Sequence, residues 1–268
     1  MNDALRMELS DCGSPEGLAQ IILQHIPYPE SSCVSLDEIA KAIGILEISP
    51  YKHRSFEGIL ITNAQKSEGK ILYNPNSSPQ RSRFTIAHEI GHFLLPFHDK
   101  NAQCAAANIM EQTNYSSQSK KEAEANRFAA ELLAPTSLVK VLLQKETETG
   151  LQSILAIKNR FQLSMEAAAN RYIECSDHEV ALIFGHQNKI RYCLRTKSFP
   201  FVTLSKGDVV PAYISQELED IENSQITDWY YVDPIYFIDE QGISEDEELY
   251  CQSLMQSNGH HISALSFE

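Results

Sequence analysis

The first part of the chain alternates apolar and polar residues with the period of a helix. Ser14 followed by Pro15 is typical of a helix start, and LAQIILQHI continues at helical spacing. Ser35 and Glu38 form a capping box ahead of IAKAI, and Gly44 is placed to end that helix. The pattern therefore predicts two helices before the first strand.

Short β-rich runs broken by turn residues come next. The runs ILEIS, FEGILITN and GKILYNP predict a small sheet, with a hairpin through AQKSEG between the last two. Prolines and serines from Pro75 to Pro79 interrupt the pattern immediately before RFTIAHEIGHFLL, which is helical in period. Helices, a small sheet and then further helices indicate an α+β fold.

The rest of the chain changes period once more. SKKEAEANRFAAELL, halted near Pro135, precedes three helical segments, TSLVKVLLQ, LQSILAIKNRF and SMEAAANRYIE, and the last two have the spacing of a helix-turn-helix. Past Cys175 the runs EVALIFG, KIRYCLR, FVTL and WYYVDPIYFID predict strands, with Asn188 in the first turn. The predicted divisions are a first domain (1–135), a helical, helix-turn-helix-like region (136–175) and an acidic strand-rich domain (176–268).

Length and hydropathy favour a soluble protein of more than one domain. The 268 residues exceed the usual size of a single domain, and a hydrophobic content of 43% is ordinary for a chain with a core. No apolar run approaches the roughly 18 residues of a membrane span. The start MNDALRMELSDCGS lacks the pattern of a secretory signal, and the six cysteines form no CxxC pair. We therefore expect a cytoplasmic protein without membrane contact.

Charge argues against direct binding of nucleic acid. No Lys or Arg follows Lys206, and residues 207–268 hold 14 of the 36 acidic side chains, which leaves the preceding part neutral. The helix-turn-helix-like region carries five basic and four acidic side chains, a balance that supplies little affinity for phosphate. The acidic strand-rich part is expected to repel a phosphate backbone.

The segment HEIGH carries the chemistry that stands out most. His88 and His92 are four residues apart, so both project from one face of a helix toward a single ion, while Glu89 lies about 100° away. Two zinc ligands and a carboxylate that takes a proton from the activated water require this geometry. Apolar residues surround these positions, and buried polar groups without partners are costly. We therefore predict a metal site rather than two histidines of the core.

A catalytic zinc site needs a third protein ligand and one open position. Glu122 and Asn126 are four apart, so Glu122 can ligate while Asn126 holds a histidine ring from behind. Glu124, on another face, is the fallback ligand, and His98 is a further alternative. For His98 the pattern HExxHxxGxxH fails, because Leu95 stands where that pattern has glycine. Zinc is the expected ion, although a site of two histidines and a glutamate also accepts Mn²⁺ or Fe²⁺.

Two motifs in order, RFTIAHEIGHFLL and EAEANRFAAELLAP, with KILYNP upstream, resemble the ImmA/IrrE family of metallo-endopeptidases. The resemblance covers roughly residues 10–175 and implies a zincin-like metallopeptidase fold. It also implies a protein substrate, commonly a helix-turn-helix repressor whose cleavage turns genes on. By the same resemblance His88 and His92 are ligands, Glu89 is the base, and Glu122 or Glu124 is the third ligand. The strand-rich part resembles the C-terminal region of some members and is expected to be a sensor or a passive cap.

These parts together predict a zinc endopeptidase. The expected reaction is Glu89-assisted attack of zinc-bound water on a peptide bond, with Tyr73 or His98 as a candidate donor to the oxyanion. GKILYNP is expected to offer a sheet edge to an extended substrate. The alternative is a non-catalytic zinc-containing regulator that sequesters a transcription factor, but a closed structural site would have four ligands and more Cys.

Overall fold

The structure is a computed structural model, and its contacts divide the chain into two compact units. The residues described are 3–30, 32–52, 56–98, 101–104, 117–146, 149–219, 221–222, 225–239 and 247–267. The N-terminal unit comprises Met1–Leu138 and Asn159–Ser164, and the C-terminal unit comprises Val139–Lys158 and Met165–Glu268. The division of the sequence into three domains, with boundaries after residues 135 and 175, stays a prediction.

The N-terminal unit begins with three helices, α1 (Asp3–Asp11), α2 (Pro15–His25) and α3 (Leu36–Ile43). The side chain of Ser14 accepts a hydrogen bond from the N–H of Gly17, and that of Ser35 accepts one from Glu38. Gly44 ends α3 in the left-handed conformation, with φ of 102°. Both predicted helices are confirmed. Helix α1 was not predicted, because it buries only Leu5 and Leu9 and so shows little apolar period.

A four-stranded sheet follows in the order β1-β3-β2-β4. Its strands are β1 (Ile45–Pro50), β2 (Gly58–Thr62), β3 (Gly69–Tyr73) and β4 (Asn101–Cys104). Strand β3 is bonded in parallel to β1 and antiparallel to β2. The expectation that GKILYNP offers a free edge is therefore wrong. Its β-rich pattern could not reveal the pairing with β1, which is separated from it by some twenty residues.

Helix α4 (Pro79–Leu94) carries HEIGH and packs against helix α5 (Ser117–Leu133) as well as β2 and β3. Ser78 caps α4 by accepting a hydrogen bond from the N–H of Arg81. Gly91 lets the two helices approach, since a Cβ added there would lie 3.0 Å from Cδ1 of Phe128 and 3.3 Å from Cα of Ala125. Side chains of α4 and α5 are thereby brought face to face.

The predicted helical segments after Pro135 form α6 (Thr136–Leu143), α7 (Leu151–Phe161) and α8 (Met165–Cys175). The C-terminal unit contains an antiparallel sheet in the order β6-β5-β9-β8-β7. Its strands are β5 (Val180–His186), β6 (Lys189–Arg195), β7 (Tyr230–Tyr231), β8 (Leu249–Met255) and β9 (His260–Phe267). The turn predicted at Asn188 is confirmed, with φ of 60° at that residue.

Two predicted strands of the C-terminal unit are wrong in extent. FVTL contributes only an isolated bridge, between Val202 and Ile238. WYYVDPIYFID forms the two-residue strand β7 and then a 3-10 turn at Pro234–Tyr236, because the Asp233 side chain accepts from the N–H of Ile235 and caps that turn. Strands β4, β8 and β9 and helix α9 (Ala212–Glu219) were not predicted from the sequence.

His261, in strand β9 of the C-terminal sheet, has a buried imidazole ring. His261 is 3% exposed, and neither of its ring nitrogens has a hydrogen-bond partner in the described part of the chain. The ring lies against Gly185, its partner across the β5–β9 ladder. Burial, and then the neighbouring His260, lower the pKa of His261 from 6.5 to about 4. His261 is therefore neutral in the folded protein near pH 7.

None of the helices in the described ranges is both long and apolar enough to cross a membrane.

Candidate metal centre

Three buried side chains of the N-terminal unit converge on one point between α4 and α5. They come from His88, His92 and Glu122, and one candidate ligand atom from each lies within 4.8 Å of the others. The two Nε2 atoms are 3.0 Å apart. The Glu122 carboxylate oxygens lie 3.3 Å from Nε2 of His88 and 3.5 Å from Nε2 of His92. The geometry gives the donor set of a site with two histidines and one carboxylate.

The hydrogen bond at Nδ1 of His88, the ring nitrogen away from the convergence point, shows that the three converging side chains can bind a cation. Nδ1 of His88 lies 2.9 Å from Oδ1 of Asn126, an amide oxygen that can only accept. The ring hydrogen of His88 is therefore on Nδ1, and Nε2 keeps a lone pair directed at the convergence point. Two basic nitrogens and a carboxylate facing one another at these distances match a divalent ion that prefers N and O ligands.

The site also holds its ligands in the protonation state that a metal requires. Burial alone would raise the pKa of Glu122, but the imidazoles of His88 and His92 beside it lower that pKa by more, so it lies well below the usual range. Burial, opposed in part by the neighbouring Glu122 carboxylate, lowers the pKa of His92 from 6.5 to about 4. A carboxylate and a neutral imidazole at pH 7 can bind a metal ion without losing a proton first.

Glu89 is fully buried one residue after His88, as the motif requires. Its carboxylate lies against the first residue of β2, because a Cβ added to Gly58 would be 2.6 Å from Oε1 of Glu89 and from Cγ2 of Thr85. Gly58 is paired across the sheet with Cys104 of β4. The glycine thus leaves the space that the Glu89 carboxylate occupies.

Glu124 and His98, the two alternative ligands, lie outside the converging set. Nδ1 of His98 is 2.8 Å from Nδ1 of His92, the nitrogen on the far side of the ring from the convergence point. Nε2 of His98 is 3.1 Å from Oε2 of Glu124. Of the alternatives for the third ligand, the geometry favours Glu122.

Tyr73, the other candidate donor to an oxyanion, stands at the end of β3, opposite Gly58 in the ladder. Gly58 in turn lies against the Glu89 carboxylate. The structure brings His98 to the site and leaves Tyr73 beside it.

Two residues that support the site were missed in the sequence. Gly58 carried a weak signal, because a glycine at the start of a strand often marks the close approach of another group. Lys66, in the β2–β3 turn, carried none. Its Nζ donates to the carbonyl oxygens of His92, at 2.7 Å, and Leu95, at 3.3 Å, and so satisfies carbonyls at the end of α4.

The N-terminal unit has a zincin-like α+β fold, and its three converging side chains could bind a metal ion. Residues 51–172 match the Peptidase M78 family, described as the IrrE N-terminal-like domain, which confirms the resemblance to the ImmA/IrrE family. Among solved structures, a Mycobacterium tuberculosis transcriptional regulator is similar with a TM-score of 0.56 and 11% identity, over 98% of this chain and 79% of that chain. So low an identity shows likeness of fold alone. No curated protein matches the chain.

Proposed function

We propose that the chain is a zinc-dependent endopeptidase that cleaves a helix-turn-helix transcriptional repressor in the cytoplasm. The observation that supports it most is the convergence of His88, His92 and Glu122, with Glu89 buried beside them. Peptidase family membership of residues 51–172 supports the reaction class. The likeness in fold to a protein described as a transcriptional regulator supports the link with transcription.

The ion would be held by Nε2 of His88, Nε2 of His92 and a carboxylate oxygen of Glu122. A bound divalent ion acts as a Lewis acid that makes water more acidic and stabilises negative charge on a peptide carbonyl oxygen. Zn²⁺ suits this mixture of nitrogen and oxygen ligands, and Mn²⁺ or Fe²⁺ would also be accepted.

Glu89 is the group that moves the proton. Its carboxylate takes a proton from the attacking water as the new C–O bond forms at the scissile carbonyl. It then delivers the same proton to the amide nitrogen as the C–N bond breaks, so that the leaving group departs as a neutral amine. Gly58 contributes by leaving room for the carboxylate, because a base must lie within hydrogen-bonding reach of the water.

The decisive experiment compares wild type with Glu89→Gln. The amide has nearly the same shape but is not a base, so we expect zinc binding to be unchanged and cleavage to fall by roughly 10²- to 10⁴-fold. New protein N-termini would be identified by proteomics in host cells that express either form. Glu68→Gln, an exposed change in the β2–β3 turn, is the matched control and should cleave like wild type.

The alternative is a zinc-containing regulator that binds and sequesters a transcription factor without cutting it. Equal sets of N-termini from wild type and Glu89→Gln, together with retained regulatory activity in the variant, would overturn the peptidase proposal in favour of this alternative. One or a few N-termini found only with wild type, in a small DNA-binding repressor, would identify the substrate and its scissile bond.

A further inference from the structure

A chain of hydrogen bonds continues behind His92, on the side away from the convergence point. Nδ1 of His92 lies 2.8 Å from Nδ1 of His98, and Nε2 of His98 lies 3.1 Å from Oε2 of Glu124. His98 is only 5% exposed, and the side chain of Glu124 is 23% exposed. The three residues come from α4, from the segment after it and from α5.

The positions of the hydrogens in this chain follow from its last member. A carboxylate only accepts, so Nε2 of His98 must donate to Glu124. A neutral His98 then has a lone pair on Nδ1, which can only accept from Nδ1 of His92. His92 is therefore held with its hydrogen on Nδ1 and a lone pair on Nε2, the atom that faces His88 and Glu122.

We propose that His98 and Glu124 form a positioning relay that fixes the tautomer of His92 and thereby presents Nε2 as a ligand. The inference rests on the metal site of the proposed function and adds that the two histidine ligands are oriented by different residues. Asn126 fixes His88 through one hydrogen bond. The relay does the same for His92 through two, and it ends on a charged group, which makes the ring a stronger donor to a metal ion.

The backbone before His98 is consistent with this assignment. Phe97 has φ of +64° although it is neither glycine nor asparagine, and its side chain is 93% exposed. A bulky residue in the left-handed region persists only where the surroundings enforce it. The turn exposes an aromatic ring and brings the imidazole of the next residue into the interior.

The place of Glu124 on α5 explains why it supports the site instead of binding the ion. Two residues along a helix are about 200° apart, so Glu124 leaves the helix on a different side from Glu122. From there its carboxylate reaches His98 and, at 3.9 Å, the ammonium group of Lys120. Glu124 can therefore influence the site only through His98.

The test measures zinc affinity by competition with a chromophoric chelator. We expect His98→Leu, which can neither donate nor accept, to weaken zinc binding by roughly 10- to 100-fold, the usual range for residues that support a metal ligand. His98→Gln should stay within a few-fold of wild type, because its side-chain oxygen can accept from His92. Glu124→Gln should have a smaller effect than His98→Leu. Glu68→Gln, the exposed change in the β2–β3 turn, is again the control and should bind zinc like wild type.

A double variant separates the relay from direct ligation. If Glu124 acts only through His98, adding Glu124→Gln to His98→Leu should weaken binding no further. Nitrogen-15 NMR of the metal-free protein gives a readout independent of zinc. The hydrogen of His92 should be on Nδ1 in wild type and divided between the two nitrogens in His98→Leu.

Each result has a defined meaning. Unchanged affinity in His98→Leu, or an equal loss from Glu124→Gln with and without His98, would overturn the relay. Failure of wild type to bind zinc would instead overturn the metal site itself, so the two failures are distinguishable. If thermal unfolding shows that His98→Leu does not fold, the zinc affinities of His98→Gln and Glu124→Gln are compared with that of wild type instead. Both substitutions preserve side-chain volume and polarity, so the relay can still be tested.

Discussion

Buried histidines occur in both units, but their surroundings differ. In the N-terminal unit His88, His92 and His98 form hydrogen bonds that run from α4 to α5, and each bond has an assigned partner. In the C-terminal unit His261 is as deeply buried, yet no polar group described in the structure reaches either of its ring nitrogens. Burial lowers the pKa of both His92 and His261 to about 4.

This difference shows that burial and a low pKa do not by themselves identify a histidine that binds a metal. A ligand needs one nitrogen fixed by an acceptor and the other directed with its lone pair at a shared point. His92 meets both conditions, and His261 meets neither. His261 instead leaves two polar atoms unsatisfied, which costs stability in the folded state.

The largest expected effect is on zinc affinity, and it distinguishes a predicted metal ligand, His88, from the buried His261. We expect His88→Leu to weaken zinc binding by more than the roughly 100-fold that supporting residues contribute, because a ligand itself is lost. His261→Leu should leave zinc affinity unchanged. Equilibrium dialysis of both variants with zinc is the measurement. Equal zinc affinity in the two variants would break the distinction between the two kinds of histidine.

The next largest effect is the loss of stability of the C-terminal unit at acidic pH. The unfolded chain protonates His261 near its ordinary pKa of 6.5, whereas the folded protein resists protonation down to about pH 4. The free energy of unfolding therefore does not depend on His261 above pH 6.5. Between pH 6.5 and pH 4 it falls by up to about 1.4 kcal/mol per pH unit, and by about 3 kcal/mol in all.

His261→Leu should remove this part of the acid sensitivity. The free energy of unfolding would be measured by urea titration of wild type and variant between pH 7 and pH 4. Fluorescence of Trp229, the single tryptophan of the chain, reports on the C-terminal unit. Parallel pH profiles for the two proteins would show that His261 is protonated, or hydrated, in the folded state.

The smallest effect compares two glycines that each lie against one of the buried side chains. In Gly58→Ala the new methyl group collides with the Glu89 carboxylate, and a displaced base should reduce the cleavage rate by about 10- to 100-fold without loss of zinc. In Gly185→Ala it collides with the ring of His261, and overpacking should destabilise the C-terminal unit by about 1–3 kcal/mol.

Gly13→Ala is the matched control, because no atom lies within 4 Å of a Cβ added at Gly13. It should change neither cleavage nor stability. A slower Gly185→Ala enzyme with normal stability, or a Gly58→Ala enzyme with unchanged rate, would contradict this assignment of the two glycines.

Local chemistry made much of the N-terminal unit predictable. Ser14 and Ser35 cap the helices that their side chains indicated, and Gly44 adopts the left-handed conformation that ends α3. His88 and His92 share a face because a helix repeats every 3.6 residues. The third converging residue needed tertiary information, since Glu122 and Glu124 stand in nearly the same sequence context and differ only in which side of α5 they leave.

Contacts distant in sequence explain what the sequence did not reveal. The role of His98 depends on a turn at Phe97 and on a carboxylate 26 residues away. In the C-terminal unit, the aromatic run around Tyr230 and Tyr231 has strand propensity throughout. A side-chain cap at Asp233 and the following proline limit the strand to two residues, because they stabilise a turn instead.

Helix α5 supplies Glu122, Glu124 and Asn126, so the HEIGH segment holds only part of the machinery. Grafting α4 alone onto another scaffold would transfer two imidazoles whose rings remain free to expose either nitrogen. A transplant that is to bind an ion with comparable strength must carry α4, the segment through His98 and α5 as one module. The same requirement gives a filter for genome searches: HExxH followed by a histidine six residues later and by ExExN is a stricter signature than HExxH alone.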